Sequence, residues 1–468
     1  MRGRRVAARR RLKRELGFNV KKGNVAALLP IGVFLVLYLG LGILFEYGMG
    51  ISMGFYNIPI VVIFLVALLV ACFQNRNLSF DDKLVVMGRG IGDKTIVTMI
   101  LIFMAAGVFV GTVGRDSAES VAYFMLSIIP AEFSVVVLFV VSCFVSISMG
   151  TSVGTITLIT PIAVAVSSAS GFSLPLCVGS VMGGAMFGDN LSFISDTTIA
   201  ACQGQGCQMK DKFRENFKIA LPAAIATLVV ILALSLGSDI SGTVQNDYNL
   251  IELIPYLIVL VGGICGVNVF IVLLLGILSG SIIVVAEGAV AATDLLGNMG
   301  TGAAGMFETT MVAVLVSAIC ALIRENGGFV ALLNGIKRVF KGRKGGQLGM
   351  GLLVGAMDIA TANNTVAIVM ANPIAHEMAE TYDISRRKTA SILDTFSCVF
   401  QGVIPYGAQM LVALSACAEL GFDISAFQVM PFLFYPFFLL LSSLVFIFFV
   451  PDDRGYVPDH TAYQSSNS

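Results

Sequence analysis

A chain of 468 residues that is 57% hydrophobic and only 12% charged, with a mean hydropathy of +0.90, is not a soluble domain, which would carry about twice that charged share. Its 29 basic and 29 acidic residues cancel, so overall charge says nothing about partners, while its distribution along the chain does. Apolar runs long enough to cross ~30 Å of hydrocarbon recur along the whole length. The class is therefore an all-α polytopic membrane protein rather than an enzyme with an anchor. The nine cysteines lie mostly in apolar runs and read as packing residues. Cys202 and Cys207 are close in sequence, but no second pair completes a zinc pattern.

Residues 1–25 form a basic tail, with ten Lys and Arg among the first 22 residues, which places it in the cytoplasm. Residues 26–94 hold two peripheral transmembrane helices and a cytoplasmic loop bearing Arg76, Lys83, Arg89 and Lys94. A first transport repeat is expected over 95–236, with 117–130 a short amphipathic stretch at the interface. Within it, Lys210, Lys212, Arg214 and Lys218 mark a cytoplasmic loop. Residues 237–307 supply connecting helices, 308–450 a second repeat, and 451–468 a cytoplasmic tail. The expected count is about 12–14 transmembrane helices with both ends inside.

The repeat shows as paired residues in the same order. Arg115-Asp116 matches Arg324-Glu325, and Thr151, Gly154 and Thr155 match Thr361, Asn364 and Thr365. Pro161-Ile162-Ala163 then matches Pro373-Ile374-Ala375, and Asp189-x-x-Ser192 matches Asp394-x-x-Ser397. Loop charges put Arg115 outside and Arg324 inside, so the halves are read as inverted. Inverted repeats with sites at broken helices near the midplane are a recurrent transporter design.

Four polar stretches interrupt the apolar runs. The most pronounced is Gly188 to Thr198, with Asp189, Asn190, Ser192, Ser195, Asp196, Thr197 and Thr198. One charge at a bilayer centre costs at least ~2.5–3.5 kcal/mol on insertion scales, so two need a purpose. On a continuous helix, seven residues put Asp189 and Asp196 on one face, about 10 Å apart along the axis. A break between them would let them approach. Two nearby carboxylates in a dry site do not both ionise cheaply, and one keeps a proton until a cation arrives. Asp189 and Asp196 are the candidate Na+ ligands.

The second stretch runs from Ser146 to Thr155 and offers Thr151, Ser152 and Thr155 beside glycines that permit unwinding. Freed carbonyls and hydroxyl oxygens suit a small hard cation; the same small residues also serve ordinary helix packing. The third is Asp358 to Thr365, with Thr361, Asn363, Asn364 and Thr365. The fourth contains Asp394 and Ser397, then Gln401 and Pro405, where the helix should break. Asp394 could instead lie near the cytoplasmic end, close to Arg386, Arg387 and Lys388.

These motifs resemble those of the NhaC-type sodium/proton antiporter family over roughly residues 95–450. The family's Gly-Thr-Ser-Trp-Gly-Thr is similar to Gly150–Thr155, and its Gly-Asp-Lys-Leu-Ser-Pro-Leu-Ser-Asp-Thr-Thr to Gly188–Thr198. Its Thr-Ala-Ser-Gln-Thr is similar to Thr361–Thr365, and a later acid with a downstream Pro-Trp-Asn to Asp394 and Pro405-Tyr406-Gly407. The chain departs at Val153 for Trp, Asn190 for Lys, Phe193 for Pro, and Tyr406-Gly407 for Trp-Asn. Loss of the lysine removes an intramembrane cation beside Asp189. Loss of the proline weakens the case for a break between the aspartates.

The resemblance implies exchange of Na+ or Li+ for H+ by alternating access, in a bacterial inner membrane, with Na+, H+ and membrane lipid as partners. It implies no cofactor, no nucleic acid, and a homodimer as a further expectation. The alternative is a Na+- or H+-coupled exchanger or symporter of a small organic acid or amino acid. No arginine falls in mid-segment, which favours an inorganic cation. An intramembrane aspartyl protease would need Gly-x-Gly-Asp, and Met186-Phe187-Gly188-Asp189 lacks the first glycine.

Overall fold

The computed structural model describes residues 23–49, 59–74, 78–193, 195–237, 248–265 and 267–450, and among them every regular element is helical. Both expected cytoplasmic tails fall largely or wholly outside the described residues. In chain order the main helices are α1 (Leu29–Ile43), α2 (Ile60–Gln74), α3 (Phe80–Ile91), α4 (Lys94–Ile128), α5 (Ser134–Met149), α6 (Ser152–Ser170) and α7 (Leu174–Leu191). Then come α8 (Asp196–Gln205), α9 (Met209–Leu236), α10 (Ile254–Ile264), α11 (Val269–Ala286), α12 (Ala292–Gly305) and α13 (Phe307–Glu325). The chain continues with α14 (Gly328–Val339), α15 (Gly342–Thr361), α16 (Asn364–Tyr382), α17 (Arg386–Val403), α18 (Ala408–Glu419) and α19 (Phe434–Phe449).

Eight described helical stretches are long and apolar enough to cross a membrane, or nine if the bent pair ending in α19 is one span. The sequence-based count of 12–14 also takes in helices such as α7 and α15. Most of their glycines and several of their polar residues are buried in the bundle against neighbouring helices rather than facing lipid. The stretch expected to lie at the interface is the second arm of α4, continued past a kink at Gly114 (φ 67°). Its Ser117, Ala118 and Ala122 are buried in the protein.

The helices repeat in a register that the residue matches only partly reveal. α6 and α16 begin at 152 and 364 and end at 170 and 382, α7 and α17 run 174–191 and 386–403, and α8 and α18 begin at 196 and 408, an offset of 212 throughout. Local chemistry repeats with them. Gly150 (φ 69°) and Ala362 (φ 48°) each close the preceding helix in the left-handed region. Thr151 and Asn363 then cap the next one, accepting from the amides of Gly154 and Val366, as short polar side chains do at helix starts. Glycine adopts that backbone freely; for Ala362 it costs of order 1–3 kcal/mol.

This register corrects two of the sequence matches. Thr151 corresponds to Asn363 rather than Thr361, and the counterpart of Asp189 is Gln401 rather than Asp394. Residue identity misled there because the two halves place their acids on different turns. Pro161 and Pro373, one in each of α6 and α16, do correspond. The halves also interlock, with α8 packed on α16 and α18 on α6.

The site depends on the close approach of α7 to α5. A Cβ on Gly184 would sit 2.3 Å from the Phe139 carbonyl oxygen, and one on Gly188 2.5 Å from that of Cys143. Only glycine allows this contact, in the manner of small-residue interfaces in membranes. Gly188→Ala should therefore destabilise the protein by about 1–3 kcal/mol, whereas Gly300→Ala, with nothing within 4 Å, should not. Thermal melting of the purified variants checks this; equal melting temperatures would refute it.

Candidate ion-binding site

α7 stops at Leu191 and α8 starts at Asp196, so the polar stretch is a helix break inside the bundle. The break forms without proline. Ser195 caps α8 through the Thr197 amide, and Ser192 Oγ donates to the Ile147 carbonyl at 2.7 Å. Such hydroxyls give the backbone an alternative to continuing the helix. Phe193, where the family pattern has proline, stacks on Phe213 of α9 with ring centroids 4.6 Å apart.

Asp189, in the last turn of α7, is 6% exposed. Its carboxylate accepts from Ser152 Oγ at 2.8 Å and from Ser195 Oγ at 2.6 Å. Ser195 Oγ also lies 2.8 Å from Thr197 Oγ1. Gln409 of α18 donates to Ser152 Oγ at 2.8 Å, while its Oε1 is buried with no hydrogen-bond partner among the described residues. Two hydroxyls, one from the first residue of α6 and one from the break, thus converge on one carboxylate that makes no ion pair among the described residues.

Asp196 is not brought to Asp189. It is exposed in the first turn of α8. The break removes the helical phase that would align residues seven apart, and Ser195 turns inward instead. The second carboxylate near the break is Asp394 of α17, 2% exposed. Lys212 Nζ bonds Asp394 Oδ2 at 2.6 Å, Thr198 Oγ1 at 2.7 Å and the Asn190 carbonyl at 3.0 Å, and is itself 1% exposed. Asn216, one helical turn on, donates to the same Asp394 oxygen at 2.8 Å and to the Asn190 carbonyl at 2.9 Å. Ser391 Oγ donates to Asn216 Oδ1. The Asn190 side chain points away, to Tyr435 OH at 3.1 Å.

The remaining sequence candidates divide. Thr155 is buried but bonds back to the Thr151 carbonyl. Thr361, Asn363, Asn364, Thr365 and Ser397 gather at the corresponding corner of the second half. There Ser397 Oγ donates to Asp358 Oδ1 at 3.2 Å and to the Asn364 carbonyl at 3.4 Å. Thr361 Oγ1 donates to the Asn363 carbonyl, and the Thr365 amide to Asn364 Oδ1. In the first half the same two positions are Ser146 and Ala185, joined by a hydrogen bond from Ser146 Oγ to the Ala185 carbonyl.

Lys212, Asn216 and Gln409 are not among the residues the polar stretches single out. The charge bias assigns Lys212 to a cytoplasmic loop; it is instead inside the bundle and supplies the cation whose loss Asn190 suggested. A signal was present. Lys212, Asn216, Ile219, Ala220 and Ala223 are all buried and fall on one face of α9, at the spacing of an inward stripe.

An all-helical bundle with membrane-length spans and buried acids at a helix break has the build of a secondary transporter. Residues 24–236 and 250–450 match the Na+/H+ antiporter family, and the chain belongs to it. It is 23% identical over 433 residues to the Na+/H+ antiporter NhaC of Alkalihalophilus pseudofirmus, covering 84% of this chain and 89% of that one. It is 24% identical over 410 residues to NhaC of Bacillus subtilis, covering 79% and 87%. A B. subtilis malate-2H+/Na+-lactate antiporter matches at 24% over 248 residues; this is half of this chain, and the chain spans about half (51%) of that protein's length. The Alcanivorax borkumensis YdaH transporter structure is similar at 14% identity and a TM-score of 0.36, covering 76% of this chain and 86% of that one.

Proposed function

We propose that the chain exchanges Na+ for H+ across the membrane, with Asp189 binding the two in turn. The observation that carries this is the carboxylate itself. It is buried at a helix break, is met by neutral hydroxyls and makes no ion pair among the described residues, so it is able to take either a proton or a small cation. Ser152 and Ser195 donate to it now and would turn their oxygens to a cation, with the unpartnered Gln409 Oε1 close by. Asp394 is engaged by Lys212 and serves to hold the break. Asp196 stands at the exposed start of α8, away from the hydroxyls that meet Asp189.

Membership of the family and the names of the NhaC relatives support the same reading. The malate/lactate relative raises organic acids as cargo, but an anionic substrate needs a cation to receive it. The ammonium nearest the site is already bound to three oxygens.

If Na+ and protons compete for Asp189, the apparent Kd for Na+ should rise about tenfold per pH unit below the controlling pKa, or ~1.4 kcal/mol. Asp189→Asn should abolish Na+-driven dequenching of a pH dye in everted vesicles, and Asp196→Asn should change the apparent affinity by less than about tenfold. Calorimetry across about three pH units supplies the affinities. A pH-independent Kd, or dequenching by malate or lactate in place of Na+, would replace cation exchange with solute transport.

Alternating access by inverted halves completes the proposal. Its support is the 212-residue register, the crossed packing of α8 and α18, and the loop charges on either side. Cysteines introduced at Arg115 and Arg324 in a background free of native cysteines should react with an impermeant reagent from opposite sides of the membrane. Labelling of both from one side would contradict inversion.

A further inference from the structure

We infer that the Lys212 ammonium fills a second monovalent-cation site, built by Asp394, Thr198 and the end of α7. The inference rests on reading the helix break as a cation site.

The partners are those a bare cation would choose. Lys212 Nζ lies 2.6 Å from a carboxylate oxygen, 2.7 Å from a hydroxyl and 3.0 Å from a backbone carbonyl. The carbonyl belongs to Asn190, in the last turn of α7, where the break leaves the final carbonyls without intrahelical partners. Such carbonyls at the ends of broken helices coordinate Na+ in transporters, and the negative end of the helix dipole faces them. The three oxygens come from α7, α8 and α17, and the ammonium reaches them from α9. Asp394 and Lys212 are both almost fully buried, so water does not screen or replace the contact.

Asn216 holds two of the three oxygens independently of the lysine. Its amide bonds both Asp394 Oδ2 and the Asn190 carbonyl, and Ser391 fixes its orientation. Removing the ammonium would therefore leave a preassembled set of oxygens around an uncompensated carboxylate. A buried charge deprived of its partner is strongly unfavourable, and a small cation is the group that restores balance with the fewest changes. A tethered ammonium cannot leave, so this site takes no part in turnover and leaves exchange to Asp189.

The test is Na+ binding to Lys212→Met, with Lys212→Met/Asp394→Asn as control, measured as Na+ bound per chain and as the Na+ dependence of melting. The single variant should bind one more Na+ than the unaltered protein, and the double variant should return to the unaltered number. If the single variant unfolds without Na+, saturating Na+ should restore it. A folded single variant with an unchanged Na+ count overturns the inference. So does one that Na+ fails to restore while the double variant folds. The increment is separate from the exchange site: Lys212→Met/Asp189→Asn should lose one Na+ relative to Lys212→Met and keep the other. If Asp189→Asn removes no Na+ from the unaltered protein, the exchange reading fails while the increment still stands.

Discussion

Four helices meet at the Lys212 ammonium. It reaches from the first turn of α9 to the end of α7, the start of α8 and the middle of α17, at distances of 2.6–3.0 Å. A charge at this depth is tolerated only when paired and fully hydrogen-bonded, and losing one partner of such a pair typically costs 3–5 kcal/mol. That penalty makes the contact a strong geometric constraint. It fixes the carbonyl end of α7, and with it the position of Asp189 one residue earlier. The break need not be rigid in itself, because α9 and α17 hold both sides of it.

The same arrangement sets two acids in different surroundings. Asp394 is neutralised by a group that cannot leave. Asp189 faces hydroxyls, which serve a protonated carboxyl or a carboxylate with a bound cation equally well. A site with two free carboxylates would repel itself when empty, and one with a free lysine would exclude cations. One compensated acid beside one uncompensated acid avoids both. The glycines of α7 allow this by drawing it against α5, so that Ser152 at the start of α6 comes within 2.8 Å of Asp189.

Much of this is legible in the sequence. Composition gives the class, and the residues from Gly188 to Thr198 locate the break and Asp189. Ser152 and Ser195 are both among the candidates and both reach that carboxylate. What escapes is what depends on three-dimensional phase. Asp196 looks equivalent to Asp189 on a continuous helix, but the break rotates it out. Lys212 looks like loop charge because positive-charge statistics count residues near helix ends without knowing which way they point. The repeat is visible at Pro161 and Pro373 but slips elsewhere, since Gln401 occupies the place of Asp189 and residue identity carries no trace of it. The backbone corners at Gly150 and Ala362 preserve the register that side chains have lost.

Exchange at Asp189 requires that a proton leave the carboxyl when Na+ arrives. The direct measurement is proton release on addition of Na+ to purified protein in weakly buffered solution, followed with a pH dye below the controlling pKa. Release should approach one proton per chain, be absent in Asp189→Asn and be retained in Asp196→Asn. Release that survives in Asp189→Asn, or binding of Na+ with no release at any pH, would contradict it.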